Sequence, residues 1–223
     1  MWKRVYVWEF PVRLLHWIHV LSILVLGLTG VYIGHPFVGL AISQEVELHI
    51  TDWMRLVHFV AAWVFGLAFL ARLYWFFVGN QYARWKAWAP VGRERLRSLG
   101  QQMRYYLFFQ NERPRYTGAN PVATLTYLVL GVLIVLQGLT GIALYAEAYH
   151  AGGLWRLIYG WLLVLFNNQG LRVVHHFLLF LFAIFALVHI YMMALGDVEE
   201  GNAPMTGIIS GWKYEPVVDE EET

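Results

Sequence analysis

Residues Leu171–Leu195 read LRVVHHFLLFLFAIFALVHIYMMAL, twenty-five residues of which only Arg172 carries a fixed charge. A bilayer core of about 30 Å is crossed by roughly 20 apolar residues in helix, so this stretch is long enough to span a membrane. It also carries His175, His176 and His189. Ionisable side chains at membrane depth are costly and mark function. What this segment does therefore depends on what its histidines meet.

Three more stretches qualify by length and composition: Leu14–Ile33, Trp53–Val78 and Val122–Tyr145. The first carries two histidines, has no small-residue cleavage site and is too long for a signal-peptide core, so it reads as a retained span. The whole chain agrees. Of its 223 residues 59% are hydrophobic and 14% charged, against roughly 45–50% and 25% in soluble domains. Mean hydropathy is +0.50. These values exclude a disordered chain, a coiled coil and a nucleic-acid module. The expected fold is an all-α membrane protein, one four-transmembrane-helix bundle over residues 1–223, with a loop at 79–120 and a tail at 196–223. Cysteine is absent, which excludes disulfides, iron–sulfur ligation by this chain, thiolate zinc and covalent haem attachment.

Basic residues set the expected orientation. Arg84, Lys86, Arg93, Arg95, Arg97, Arg104, Arg113 and Arg115 lie between spans two and three, eight of the sixteen Lys and Arg in the chain. Lys3, Arg4 and Arg13 precede span one, and Lys213 follows span four. By the positive-inside rule the termini and the 79–120 loop face the cytoplasm, and the connections at 34–52 and 146–170 face outward. Within the basic loop Arg93–Phe109 reads equally as an interfacial helix on anionic lipid or as a solvated segment. Gly153–Phe166 is aromatic and nearly uncharged, suited to the outer surface. The acidic end Val217–Thr223 reads as disordered.

The chain repeats itself. Arg55-Leu-Val-His58 matches Arg172-Val-Val-His175, with Tyr74 and Tyr191 each sixteen residues further on. Gly27-Leu-Thr-Gly30 of span one matches Gly138-Leu-Thr-Gly141 of span three. The two halves read as helical hairpins of one design.

Six histidines fall in or at the start of spans: His16, His19, His58, His175, His176 and His189. His35, His49 and His150 read as surface residues. His175 and His189 are fourteen apart, about 40° short of four full turns, so both point to one face, about 21 Å apart along the axis. His176 faces nearly the opposite way from His189. Span one runs outward while spans two and four return. His16 and His189 then share the inner depth, and His58 and His175 the outer. Two stacked histidine pairs inside a bundle suit two bis-histidine haems b. With both axial positions filled, iron has no open site, and the expected chemistry is electron transfer. His19 and His176 read as packing or supporting residues.

Glycine and arginine fit the same scheme. Gly27, Gly30, Gly138 and Gly141 would let a flat macrocycle approach the helix backbone at the outer depth, or else serve small-residue helix packing. Arg72 stands fourteen residues after His58, where the second hairpin has His189. An arginine at that depth needs an anionic partner, which a propionate would supply, or it snorkels to the inner headgroups. Arg55 and Arg172, one turn before the outer histidines, could serve the outer haem likewise.

Residues 13–30, RLLHWIHVLSILVLGLTG, resemble the R-x-x-H-W … L-x-L-T-G signature of the b-type cytochrome subunit of membrane-bound nickel–iron hydrogenases. Gly118-Ala-Asn120-Pro121 and His175-His176 … His189-Ile-Tyr191 extend the resemblance over all four spans. It implies two haems b held by His16, His58, His175 and His189. It implies a periplasmic hydrogenase partner, met through its iron–sulfur small subunit and through that its large subunit, in a bacterial inner membrane. It also implies quinone as electron acceptor, with Tyr106 and Asn120 the polar groups best matching a quinone site near the inner haem. Asn120 could instead simply cap span three. On this reading the chain is not an enzyme by itself but the quinone-reducing subunit of a hydrogen:quinone oxidoreductase, with lipid around it and a higher-order assembly open. Two other readings stay open: a related cytochrome b serving another dehydrogenase or reductase, and a haem-free four-helix transporter or anchor that uses histidine as a proton relay.

Overall fold

A computed structural model describes residues 2–36, 44–89, 92–112, 114–149, 153–201 and 204–216. Arg113, His150 and the acidic end at 217–223 lie outside them. In chain order the elements are β1 (Trp2–Tyr6), α1 (Phe10–Gly34), α2 (Gln44–Val78), α3 (Trp85–Trp88), α4 (Arg93–Tyr106), α5 (Pro121–Tyr149), α6 (Gly153–Glu200), α7 (Pro204–Ser210) and β2 (Trp212–Pro216).

Helices α1, α2, α5 and α6 are each long and apolar enough to cross a membrane, as expected for an all-α membrane protein. Between 6% and 11% of the residues in their most apolar windows are buried inside the chain. Their side chains thus present a large apolar surface, for which lipid and not water is the compatible surrounding. All four helices exceed the expected spans, α1 running from Phe10 to Gly34. Helix α2 begins at Gln44, so His49, expected in a loop, stands exposed on a helix. Helix α5 runs to Tyr149. Helix α6 takes in Gly153–Phe166 and reaches Glu200.

Helix α6 is broken at Asn167, whose φ of 48° and ψ of 176° leave the helical region. Asparagine tolerates positive φ better than most residues. Its Oδ1 accepts from Gly170 N at 2.8 Å, which caps the second segment. The connection expected at 146–170 is therefore largely helix with a sharp bend.

The chain groups into two compact units. One comprises Met1–His16, Ala71–Leu130 and Leu187–Thr223; the other Trp17–Leu70 and Gly131–Ala186. In the first, β1 pairs antiparallel with β2 in the register Trp2↔Pro216 to Tyr6↔Trp212. Arg4 lies over the Trp212 ring at 4.3 Å. Gly211 makes this closure possible. It has φ +88°, and a Cβ there would stand 2.6 Å from Tyr6 Cε2 and 2.7 Å from the Trp8 carbonyl. Its own carbonyl accepts from Val7 N and Trp8 N. The Glu9 carboxylate accepts from Trp75 Nε1 and Asn80 N, both at 2.9 Å. Asn80 Nδ2 donates to the Val7 carbonyl, and Arg13 donates to the Ile209 carbonyl. Lys213 is buried, its Nζ 3.4 Å from the Gly118 carbonyl. The strand pairing and α7 were invisible in the hydropathy of residues 196–216, because their partners lie at the opposite end of the chain.

In the second unit Ala143, Ala146, Tyr159, Leu162 and Leu171 form a buried cluster with Leu139, Leu144 and Leu163 packed on it. Small alanines on α5 let α6 come close.

Candidate haem sites

The second unit holds His58 on α2 and His175 on α6, each cradled by the preceding span of its own hairpin. Thr29 Oγ1 lies 2.8 Å from His58 Nδ1. Thr140 Oγ1 lies 3.0 Å from His175 Nδ1. Both hydroxyls also donate back to their own helix, Thr29 to the Val25 carbonyl at 2.7 Å and Thr140 to the Leu136 carbonyl at 2.9 Å. Each hydroxyl also reaches a second carbonyl of its helix, Thr29 that of Leu26 at 3.3 Å and Thr140 that of Gln137 at 3.1 Å. A Cβ on Gly30 would stand 3.4 Å from His58 Cε1, and one on Gly141 3.1 Å from His175 Cε1. Leu26, Thr29 and Gly30 thus do for one histidine what Gln137, Thr140 and Gly141 do for the other. The repeat in the sequence is a repeated histidine cradle.

Gln137 adds an informative contact. Its Nε2 donates toward His175 Nε2 at 3.2 Å, while its Oε1 is buried with no hydrogen-bond partner among the described residues. A buried amide with one unmet end is costly. It also shows that the His175 Nε2 lone pair is turned toward an electron-poor group. That lone pair is the one His175 would offer to a haem iron.

The first unit brings His16 of α1 and His189 of α6 together. Their ring centres are 6.3 Å apart with planes inclined at 51°. Two metal–nitrogen bonds of about 2 Å each, extended by about 1 Å at either end to the ring centres, give a separation of about 6 Å. The pair therefore has the span that two axial imidazoles on one metal require. Tyr127 packs edge-on against His189 at 6.1 Å, and Trp88 against Tyr127 at 5.5 Å. Arg72 lies over the Trp88 ring at 4.7 Å, so its cation has an aromatic face beside it.

His16 and His189 fit haem by their separation, and His58 and His175 share one cradle built twice. His16 and His189 would hold one group, and His58 and His175 another. Each ligand is a helical imidazole in an apolar unit.

The other histidines have separate surroundings. His176 Nδ1 bonds the Arg172 carbonyl at 2.8 Å, within its own helix. His19 packs edge-on against Phe65 at 5.0 Å. His35 is exposed. Of the four glycines, Gly30 and Gly141 clear the imidazole rings, while Gly27 faces Leu179 at 3.6 Å and Gly138 has open space around its Cβ position. Arg55 pairs with Asp52 at 3.7 Å. Arg172 Nε donates to Asn168 Oδ1 at 2.7 Å, and Asn168 in turn donates to Glu147. Both arginines so have protein partners near their own helices.

Tyr106 and Asn120 meet. Asn120 Nδ2 donates to the Tyr106 hydroxyl at 3.2 Å, and Asn120 Oδ1 accepts from Ala123 N at 2.7 Å. Beside them is a cavity of about 320 Å³ lined by Tyr82, Ala87, Arg95, Arg115, Tyr116, Thr117, Gly118, Ala119 and Thr124. Arg95 donates to the Ala87 carbonyl and to Thr124 Oγ1. Burial lowers the Arg95 guanidinium below its ordinary value. It raises the Tyr116 phenol, which donates to the Ser98 carbonyl at 3.3 Å.

Sequence reading missed Thr29, Thr140 and Gln137. The signal was present for two of them, since both threonines sit inside the repeated G-L-T-G. It was read for its glycines alone.

A family model described as prokaryotic cytochrome b561 matches residues 7–211. A "Probable Ni/Fe-hydrogenase B-type cytochrome subunit" of Azotobacter chroococcum is 35% identical over 214 residues, covering 94% of this chain and 88% of the relative. Its namesake in Rhodobacter capsulatus is 35% identical over 212 residues, covering 93% and 80%. A "Probable Ni/Fe-hydrogenase 1 B-type cytochrome subunit" of Escherichia coli K12 is 30% identical over 214 residues, covering 93% and 90%. The matched region contains every helix that carries a paired histidine, and the chain belongs to the prokaryotic cytochrome b561 family of haem b membrane proteins.

Proposed function

We propose that this protein is the dihaem cytochrome b subunit through which a nickel–iron hydrogenase passes electrons to membrane quinone. The observation that carries the reading is the separation of His16 and His189, 6.3 Å between ring centres on two different helices. The twin cradles of His58 and His175 support a second haem. The relatives named as hydrogenase cytochrome subunits support the partner.

Haem b, held by two imidazoles, supplies reversible one-electron transfer with no vacant position on iron. The chain's own residues do the rest. The four histidines orient their rings and present a nitrogen lone pair. Apolar helices exclude water around them. The partner is met through its small subunit, which brings the iron–sulfur clusters that a cysteine-free chain cannot. Tyr106 and Asn120 are the proposed quinone contacts, the tyrosine hydroxyl donating to a quinone carbonyl while Asn120 holds it. Arg72 is a candidate propionate partner. Basic residues put both termini and the 79–120 loop on the cytoplasmic side of a bacterial inner membrane.

Haem per chain and the reduced-minus-oxidised visible spectrum of the purified protein test the reading. The expected result is two haems b. His16→Ala and His58→Ala should each leave one. Membranes containing the intact complex should reduce quinone with hydrogen as donor, and His58→Ala should abolish this. A colourless protein, or two haems retained in either variant, overturns it. Recovery of a different dehydrogenase in place of a hydrogenase overturns the partner alone.

A further inference from the structure

A histidine can bind a metal through Nε2 only if that nitrogen is bare. In a neutral imidazole the proton must then sit on Nδ1. Which nitrogen carries it is set by the group facing the other. The structure answers this for two histidines, independently and in the same way.

A hydroxyl has one proton to give. Thr29 gives its proton to the Val25 carbonyl at 2.7 Å. Thr140 gives its proton to the Leu136 carbonyl at 2.9 Å. Each oxygen then meets an imidazole Nδ1 as an acceptor, at 2.8 Å for His58 and 3.0 Å for His175. An oxygen whose one proton is already given can only accept, so each Nδ1 is the donor. On the far side of His175 the Gln137 amide donates toward Nε2 at 3.2 Å, which requires a lone pair there. The contacts around His175 are thus mutually consistent only with a proton on Nδ1. Those around His58 are the same set less the glutamine.

We propose that Thr29 and Thr140 are positioning residues that hold His58 and His175 in the iron-binding tautomer and set the reduction potential of the one haem between them. This rests on the dihaem reading above. An Nδ1–H bonded to an oxygen makes the imidazole a stronger donor, which favours ferric over ferrous iron and lowers the potential. The threonines do this for the outer pair. The placement of Gly30 and Gly141 one residue further on serves the same end, because the ring edge needs the space a Cβ would fill. Threonine suits the task better than serine in one respect only: its second substituent on Cβ restricts χ1.

The test is a redox titration of the purified full-length holoprotein followed at the haem absorption. The wild type should titrate as two components. Thr29→Val and Thr140→Val should each move the same component to higher potential. The double variant should move it further, and the other component should stay in place. Thr29→Ser and Thr140→Ser, which keep the hydroxyl, should titrate like the wild type. Unmoved potentials in the valine variants overturn the inference. So does an equal movement of both components, or a serine variant that shifts as far as valine.

A second measurement does not need haem. The full chain made without haem, with ¹⁵N-labelled histidine and in lipid bilayers, should show His58 and His175 protonated at Nδ1 and bare at Nε2. Each signal is assigned by substituting that histidine. The reverse tautomer at either position overturns the inference, including where the valine variants fail to load haem. A wild type that never carries haem sinks the proposed function, and the nitrogen spectrum still decides the tautomer. A wild type with two haems and indifferent threonines sinks this inference alone.

Discussion

Asn120 Nδ2 and the Tyr106 hydroxyl lie 3.2 Å apart, and the same asparagine accepts from Ala123 N at 2.7 Å. One side chain therefore caps α5, ahead of Pro121 in its first turn, and ties that helix to the end of α4. Capping uses the oxygen of this amide and the contact to Tyr106 uses its nitrogen, so the cap leaves the other end free for a second role.

They can be separated by substitution. Asn120→Ala loses the cap and should cost about 1 kcal/mol of stability, seen as a lower unfolding temperature in detergent. Tyr106→Phe keeps the cap and should leave that temperature within about 0.5 kcal/mol of wild type. Both should raise the KM for quinone in the intact complex. A KM unchanged in Tyr106→Phe removes this residue from the quinone site.

Gly141 and Gly30 stand against the His175 and His58 imidazoles, but not equally. An added Cβ would be 3.1 Å from the His175 ring and 3.4 Å from the His58 ring. The first is tighter than a packed core accepts without movement, the second close to ordinary contact. Gly141→Ala should therefore lower haem per chain more than Gly30→Ala. Pyridine haemochrome assay of the two purified variants measures the order.

Gly211 closes the short sheet between the two ends of the chain. Gly211→Ala puts a Cβ against the Tyr6 ring and the Trp8 carbonyl at a φ of +88°, a conformation costing an alanine of order 1–3 kcal/mol. The expected outcome is release of β1 and β2, read as faster proteolysis near both termini. The membrane helices and haem content should be unaffected, since the strands contribute none of the four histidines.

Burial raises the Tyr116 phenol above its ordinary 10.0. The folded chain holds that proton more tightly than the unfolded one. The group therefore contributes stability that is fully present below pH 10 and is lost as pH rises through the folded value. Difference titration of wild type against Tyr116→Phe near 295 nm should show one phenol ionising late. A Tyr116 that ionises with the free phenols contradicts its burial.

The four spans were legible because each is a local property, a run of apolar residues long enough for a bilayer. So was the nearness of His16 and His189, whose rings lie 6.3 Å apart, because helical period and alternating direction turn sequence distance into depth. The bend at Asn167 was not legible. It depends on a backbone angle that many asparagines never adopt.

The residues of this chain alone determined how many helices can cross a membrane, which histidines can share a depth, and that the two hairpins are built alike. Hydropathy and the 3.6-residue turn act along the chain and need no partner. Only the tertiary structure decided what faces each ring: the threonine oxygens on His58 and His175, the amide of Gln137, and the pairing of the first strand with the last. Those contacts join residues from 29 to more than 200 positions apart, and a hydrogen bond of 3 Å is directional. Its existence follows from where packed helices put their side chains, which no run of residues states.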